Sequence, residues 1–161
     1  MNIALSDVVA VIAPVLARGQ RVRMSVAGDS MVPFIRDGDT IELEPLDAPA
    51  AVGDVVLARV DVDGVPGRHV VHRVITVARG GVCLRGDAQM VAEGPLPGTA
   101  ILGRVCAVYR ADRLVGRRDG WWGRFGRVWA VVGRAGYQAL ELRRALKKAR
   151  AGTSRSSHRA G

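Results

Sequence analysis

Residues 28–39 read Gly-Asp-Ser-Met-Val-Pro-Phe-Ile-Arg-Asp-Gly-Asp, and this stretch decides both the expected fold class and the expected chemistry. It places one serine, Ser30, in a short turn-forming segment between Gly28 and Pro33. A serine hydroxyl is a weak nucleophile at neutral pH and needs a neighbouring base to take its proton. The remainder of the chain must therefore supply that base.

Short segments rich in valine and isoleucine surround this stretch, and several of them alternate apolar with polar residues as strands do. They cover residues 21–27, 40–43, 54–61, 69–78, 82–85 and 100–109, and turn signals separate them. This spacing predicts a mainly β domain, either a coiled β-sheet or a small barrel-like domain. Residues 3–17 predict one short helix before it, with Ser6 as N-cap, Pro14 as a kink and Gly19 as the stop.

The composition excludes several classes of protein. With 161 residues, 48% of them hydrophobic, the chain can form one compact domain and an appendage. Its longest apolar run near the N-terminus, Val8–Ala17, is about half the roughly 20 residues of a membrane-spanning helix. Asp7 and the lack of a basic residue before Arg18 argue against a signal peptide. We therefore expect a cytoplasmic or peripherally membrane-associated protein.

The two cysteines, Cys83 and Cys106, do not make a disulfide framework, and their spacing matches no metal-binding motif. No metal ion and no other cofactor is expected.

Charge divides the chain into two parts. Residues 1–112 hold 11 basic and 13 acidic residues, whereas residues 113–161 hold 13 basic residues and two acidic ones. We predict a β domain over residues 1–112 and a basic, helical tail with a disordered end over residues 113–161. The basic tail indicates an anionic partner, membrane surface or nucleic acid, or else a solubilising appendage.

Arginines lie on one side of the first predicted tail helix, and aromatic residues lie on the opposite arc. The aromatic residues are Trp121, Trp122, Phe125 and Trp129. This pattern is typical of a helix in a bilayer interface, and it equally fits an aromatic face docked on the protein's own sheet. Specific nucleic-acid binding is not expected, because the tail has no base-reading motif.

Further short blocks follow the serine segment in order: Gly53–Val56, Val70–Ile75, Gly86-Asp87 and Gly103–Val105. Together with Gly-x-Ser-Met-x-Pro they resemble the signal peptidase I family, part of the S24/S26-type serine peptidases that also include LexA-type repressors. The resemblance covers residues 18–110 and implies that Ser30 is the nucleophile.

The base that the resemblance implies is a histidine. Residues 1–112 contain no lysine, so the Ser/Lys dyad of the bacterial enzymes is absent, and His72 stands at the position of the lysine. This resembles the branch of the family in which histidine replaces lysine, and an unperturbed imidazole suits the role near pH 7. His69 is the competing candidate, but residues 69 and 72 of one strand point to opposite faces.

The resemblance also suggests the remaining site residues. Asp87, in the late Gly-Asp block, is the candidate that orients His72, with a turn-capping role as the alternative. Gly28, Ser30 and Met31 form the expected oxyanion loop, in which the Ser30 N–H is the first donor. Met31 and Pro33 are expected at the substrate groove, where a peptide would add as a β-strand.

The sequence thus predicts a serine endopeptidase that acts on a precursor or leader peptide. The resemblance implies small substrate residues just before the scissile bond. Self-cleavage of the LexA kind is less favoured, because Ala27-Gly28 lies inside the serine block instead of well upstream. The alternative from another class is a catalytically inactive peptidase fold, a peptide-binding or scaffolding module whose basic tail binds membrane or nucleic acid.

Overall fold

The computed structural model describes residues 5–62 and 65–133. Within these ranges the first element is helix α1 (Leu5–Ala17), which is followed by eight strands. They are β1 (Val22–Ser25), β2 (Thr40–Glu44), β3 (Val55–Val62), β4 (Val65–Ala78), β5 (Gly81–Arg85), β6 (Glu93–Leu96), β7 (Ile101–Arg110) and β8 (Arg113–Arg117). A single 3-10 turn (Gly98–Ala100) precedes β7. A second α-helix, α2, covers residues 121–133.

The strands form one antiparallel sheet in the order β1-β2-β7-β3-β4-β5-β6. Strand β7 pairs with β3 near its start and with β8 near its end. This sheet confirms the prediction of a mainly β fold. It is open and does not close into a barrel. Strands β1 and β6 are its two ends.

Two strands fall outside the predicted set. Strand β6 contains Pro95, and a proline counts against assigning a segment as a strand. Strand β8 lies beyond the predicted domain boundary at residue 112. That boundary falls in the tight turn between β7 and β8, where Ala111 and Asp112 adopt positive φ angles. Residues 113–117 therefore belong to the sheet.

Helix α1 covers one face of the sheet through Val9, Ile12 and Leu16, which recur at helical spacing and are each at most 6% exposed. The helix contains Pro14. It ends as expected, since Gly19 has a φ of 81° and donates its N–H to the Leu16 carbonyl at 2.9 Å. The expected N-terminal residues of this helix, Ile3 and Ala4, lie outside the described residues.

The sheet has a hydrophobic cluster on each face. The cluster under α1 includes Ile41 and Leu43, and the opposite cluster includes Val74 and Leu84, all four with no measurable exposure. Full burial of such side chains stabilises the fold by about 1.5–3 kcal/mol each. Strand β4 lies between the two clusters, so consecutive residues along it enter different environments. Within the described ranges, no helix is both long and apolar enough to cross a bilayer.

Candidate active site

The serine segment is a compact turn that follows β1. Gly28 has a φ of 92°, a conformation that favours glycine, and its N–H donates to Asp37 Oδ1 at 2.8 Å. The Val32 N–H donates to the Asp29 carbonyl at 3.2 Å, and the Ser30 carbonyl accepts from the Ala88 N–H at 2.9 Å. The backbone on both sides of Ser30 is therefore held in place.

Strand β4 brings His72 to this turn. His72 is 4% exposed, and its Nε2 lies 3.2 Å from Ser30 Oγ, within hydrogen-bond distance. The two residues are 42 positions apart in the chain, so the contact depends on the sheet. His69 makes no hydrogen bond to Ser30, and burial together with the charge of Arg59 lowers its pKa. The structure thus joins His72, not His69, to the serine.

The other ring nitrogen of His72 contacts Glu93, the first residue of β6. The distance from Nδ1 to Glu93 Oε2 is 2.7 Å. An ionised Glu93 carboxylate can only accept a hydrogen bond, and this contact therefore selects the imidazole tautomer in which Nδ1 donates. In the neutral ring the Nε2 lone pair is then directed at the Ser30 hydroxyl, which is the arrangement that a general base requires.

This contact corrects the assignment of Asp87 as the residue that orients His72. The Asp87 carboxylate is occupied by Arg73, which donates from Nε to Oδ1 at 2.7 Å and from Nη2 to Oδ2 at 2.6 Å. Sequence analysis missed Glu93 because it belongs to no recognised block and directly precedes Gly94-Pro95. One signal was present, since Glu93 is the only acidic residue between positions 88 and 111.

The Arg73–Asp87 ion pair is buried. Both side chains are at most 2% exposed, and Arg73 Nη1 also donates to the Gly53 carbonyl at 2.9 Å. Burial raises the pKa of the Asp87 carboxyl, while the hydrogen bonds and charge of Arg73 act in the opposite direction. The pair therefore satisfies its own hydrogen-bonding groups inside the fold.

The buried pair also positions the serine. Asp87 stands between Gly86 and Ala88, and both of these neighbours touch the Ser30 carbonyl oxygen. Ala88 donates its N–H to it, and a Cβ on Gly86 would lie only 2.6 Å from it. Asp87 is thus a positioning residue, because its bond to Arg73 holds the segment against which Ser30 rests.

Helix α2 closes the other side of Arg73. The guanidinium carbon of Arg73 lies 4.9 Å from the Phe34 ring centroid and 5.8 Å from that of Trp122. Phe34 also meets Trp122 edge-on at 6.0 Å and Trp129 at 5.7 Å. A Cβ on Gly126 would collide with the Arg73 guanidinium, so this glycine permits the close approach of α2.

For Trp122 and Trp129, docking of α2 follows the second of the two predicted arrangements, an aromatic face against the protein itself, and corrects their assignment to a bilayer interface. Trp122 is 5% exposed, and Trp129 packs against Phe34, so both belong to the inner face of the helix. Trp121 and Phe125 remain 69% and 52% exposed. The aromatic set therefore divides into a docked pair and an exposed pair.

The expected loop and groove residues also divide. Met31 is 3% exposed and packs in the cluster under α1, so it does not line a groove as predicted, whereas Pro33 is exposed. The Gly28 N–H is already bound to Asp37. The Ser30 N–H donates to no residue that the structure describes, which leaves it free for an oxyanion.

Comparison with known proteins agrees with this architecture. The family model of Peptidase S24-like proteins matches residues 3–106, which include Ser30, His72, Asp87 and Glu93. No curated protein shows significant sequence similarity to the chain. The match covers more than half of the chain and nearly the whole sheet, and family membership indicates a peptidase-type hydrolase. The chain belongs to the Peptidase S24-like family.

Proposed function

We propose that this protein is a serine endopeptidase that cleaves a precursor or leader peptide, with Ser30 as nucleophile, His72 as base and Glu93 as the residue that orients the base. The observation that carries the proposal is the continuous series of contacts from Ser30 Oγ to His72 Nε2, at 3.2 Å, and from His72 Nδ1 to Glu93 Oε2, at 2.7 Å. A nucleophile, a base and a third group that holds the base are the parts that such chemistry needs.

The first step is attack of Ser30 Oγ on the carbonyl carbon of the scissile peptide bond. The serine proton moves to His72 Nε2, and the negative charge of Glu93 stabilises the imidazolium that forms. The carbonyl oxygen becomes an oxyanion, for which the free Ser30 N–H is the donor on this chain. Collapse of this intermediate transfers the proton from Nε2 to the leaving amine and forms an acyl-enzyme.

The second step releases the acyl group. A water molecule gives its proton to His72 Nε2 and attacks the ester carbonyl, and the proton then returns to Ser30 Oγ as the peptide acid leaves. The protein is regenerated without any cofactor. The Glu93 carboxylate accepts the Nδ1 hydrogen bond throughout and need not change its protonation state.

The surroundings of the site suit an extended, partly apolar peptide. Strand β1 runs into the serine turn, β6 carries Glu93, and both are end strands that can pair with added backbone. The loop between Asp87 and Glu93 exposes Met90 (54%) and Val91 (76%) to solvent. By its resemblance to signal peptidase I, the substrate would carry small residues before the scissile bond.

A serine-directed fluorophosphonate probe tests the proposal without knowledge of the substrate. The full chain should be labelled at Ser30, located by mass spectrometry of the digested protein. Ser30→Ala should abolish the label, and His72→Ala should slow it by orders of magnitude. Ser25→Ala is the matched control, since Ser25 is an exposed serine on β1 near the same turn, and its labelling should equal that of the wild type.

Each alternative gives a distinct result. A catalytically inactive scaffold would fold normally and take up no label at Ser30, which would overturn the proposal. Cleavage of a peptide library by the wild type and not by Ser30→Ala would establish turnover and define the preferred residues. A chain that cuts only itself would lose mass on prolonged incubation and leave the library intact.

A further inference from the structure

Helix α2 has a second apolar face that its docking does not use. Trp121, Phe125 and Val128 follow one another at spacings of four and three residues, so they form a stripe along one side of the helix. Their exposed fractions are 69%, 52% and 56%. We call these three residues the outer stripe. The docked face is formed by Trp122, Trp129 and their neighbours and lies about 90° away around the helix axis.

The outer stripe is not explained by packing within the described part of the chain. Trp121 has no ring contact or hydrogen bond with another described residue, and only Phe125 reaches inward, to 6.1 Å from the Phe34 ring. Large side chains that stay exposed in a row on a docked, ordered element mark a surface for a partner. The chemistry beside the stripe indicates which partner.

Two arginines lie beside the stripe. Arg124 lies about 60° from Trp121 around the helix axis, on the side away from Trp122, and Arg127 lies about 120° from Trp121 with the base of its side chain over Gly53. Both are exposed, and neither forms an ion pair with a described residue. By contrast, Arg117 and Arg118 on the preceding strand and turn are paired with Asp119 and Asp54. Positive charge is thus left unneutralised at α2.

We infer that the outer stripe of α2 binds the surface of an anionic lipid bilayer. Trp121 and Phe125 would enter the boundary between headgroups and acyl chains, and Arg124 and Arg127 would meet lipid phosphates with their long side chains. The sequence after residue 133 has the same sign of charge, with eight basic residues and one acidic residue. A nucleic acid would use the arginines and leave the apolar stripe unoccupied, and an apolar protein partner would leave the arginines unneutralised.

The docked face gives this attachment a consequence for the site. Trp122 and Trp129 pack on Phe34, which is four residues after Ser30 in the serine turn. The attachment therefore reaches the serine segment through Phe34, on the face of β4 that Arg73 enters.

Co-flotation with vesicles tests the inference on the full chain. Wild-type protein should float with vesicles of phosphatidylcholine mixed with phosphatidylglycerol and remain in the dense fraction with phosphatidylcholine alone. The double variant Trp121→Ser/Val128→Ser should reduce binding by about tenfold or more, because it removes the apolar contact. Arg124→Gln/Arg127→Gln should reduce it by about 10- to 30-fold at low salt.

The matched control is Val11→Ser, which removes an apolar side chain of 71% exposure from α1 and should float like the wild type. Circular dichroism should show all variants folded. Absence of flotation with anionic vesicles would overturn the inference, as would equal flotation of the stripe variant and the wild type, which would assign binding to charge alone. A dimer that the stripe variant dissociates, without vesicle binding, would assign the stripe to a second copy instead.

The Ser30→Ala variant separates this inference from the proposed function. It should float like the wild type, because lipid binding does not use the nucleophile. Loss of probe labelling with retained flotation is therefore the expected result for this variant, whereas loss of flotation in a folded Ser30→Ala variant would contradict the inference.

Discussion

Two consecutive residues of β4, His72 and Arg73, each bind a carboxylate. The two pairs differ in the face of the strand that they occupy, in their exposure and in the residues around them. His72 points to Ser30 and binds Glu93, whose side chain is 18% exposed. Arg73 points to the opposite face and binds Asp87, which is 2% exposed, beneath the aromatic residues of α2. Alternation along a strand thus places a reactive pair and a structural pair side by side.

The difference follows from the cations. An imidazole can gain and lose a proton near neutral pH, so it can act as a base, and it must lie beside the substrate. A guanidinium keeps its charge at any pH a protein experiences and presents a rigid fork for two hydrogen bonds. In the proposed mechanism the same type of partner, a carboxylate, therefore prepares a proton transfer in one pair and holds the serine turn in the other.

The largest expected effect comes from removal of the reactive member. His72→Ala should lower the rate of peptide cleavage by about 10⁴-fold or more, because Ser30 loses its base. The free energy of unfolding, measured in urea, should change far less than for the structural pair. The control is His69→Ala, which should retain cleavage; an equal loss in both variants would contradict the assignment of the base.

Removal of the structural cation should produce the next largest effect, on stability. Arg73→Met should reduce the free energy of unfolding by about 3–5 kcal/mol, because it leaves the Asp87 carboxylate buried without a partner. Arg73→Met/Asp87→Leu should recover part of this loss, since no unpaired charge remains. A single variant as stable as the wild type would show that the pair does not hold this part of the fold.

Glu93→Gln sharpens the contrast between the two carboxylates. It should lower kcat by about 10²- to 10³-fold and leave KM and unfolding nearly unchanged, because Gln no longer stabilises the imidazolium. Asp87→Asn should show the reverse emphasis, with a clear loss of stability. A pH profile of kcat that is the same for Glu93→Gln and the wild type would count against a role of Glu93 in orienting the base.

The smallest effect concerns a third carboxylate, Asp39, which is far less exposed than its partner Arg110. Burial opposes ionisation of Asp39, but hydrogen bonds from Arg110 and from the Arg36 N–H lower its pKa below the ordinary 3.8. A pKa that is lower in the folded than in the unfolded protein stabilises the fold above pH 3.8. This stabilisation is lost as the pH falls through the pKa of Asp39 in the folded protein. Asp39→Asn should therefore flatten the stability curve in that acid range, as monitored by urea unfolding.

Several features were predictable because they depend on local sequence. Alternating valine-rich segments specified six of the strands, and Gly19 specified the end of α1. The serine turn was recognisable from Gly28 to Asp39, since its glycine and proline residues are types that favour turns. The opposite directions of His69 and His72 followed from the two-residue period of a strand.

Other features depended on which strands become neighbours. Glu93 reaches His72 only because β6 pairs with β5 and β5 with β4, with Leu84 opposite Glu93. Met31 lies in a loop that α1 and the sheet enclose, so its burial was not readable from the loop itself. The inner and outer faces of α2 were separated by Phe34, a residue nearly 90 positions earlier in the chain.

The sequence by itself determined six of the eight strands and the candidate nucleophile and base, because these rest on local periodicity and on short motifs. The tertiary structure alone decided which carboxylate binds which cation. Asp87 and Glu93 lie only six residues apart, so their positions in the sequence do not show which of them binds His72 and which binds Arg73. The opposite faces of β4 separate them: each carboxylate binds the cation that its own side of the sheet presents.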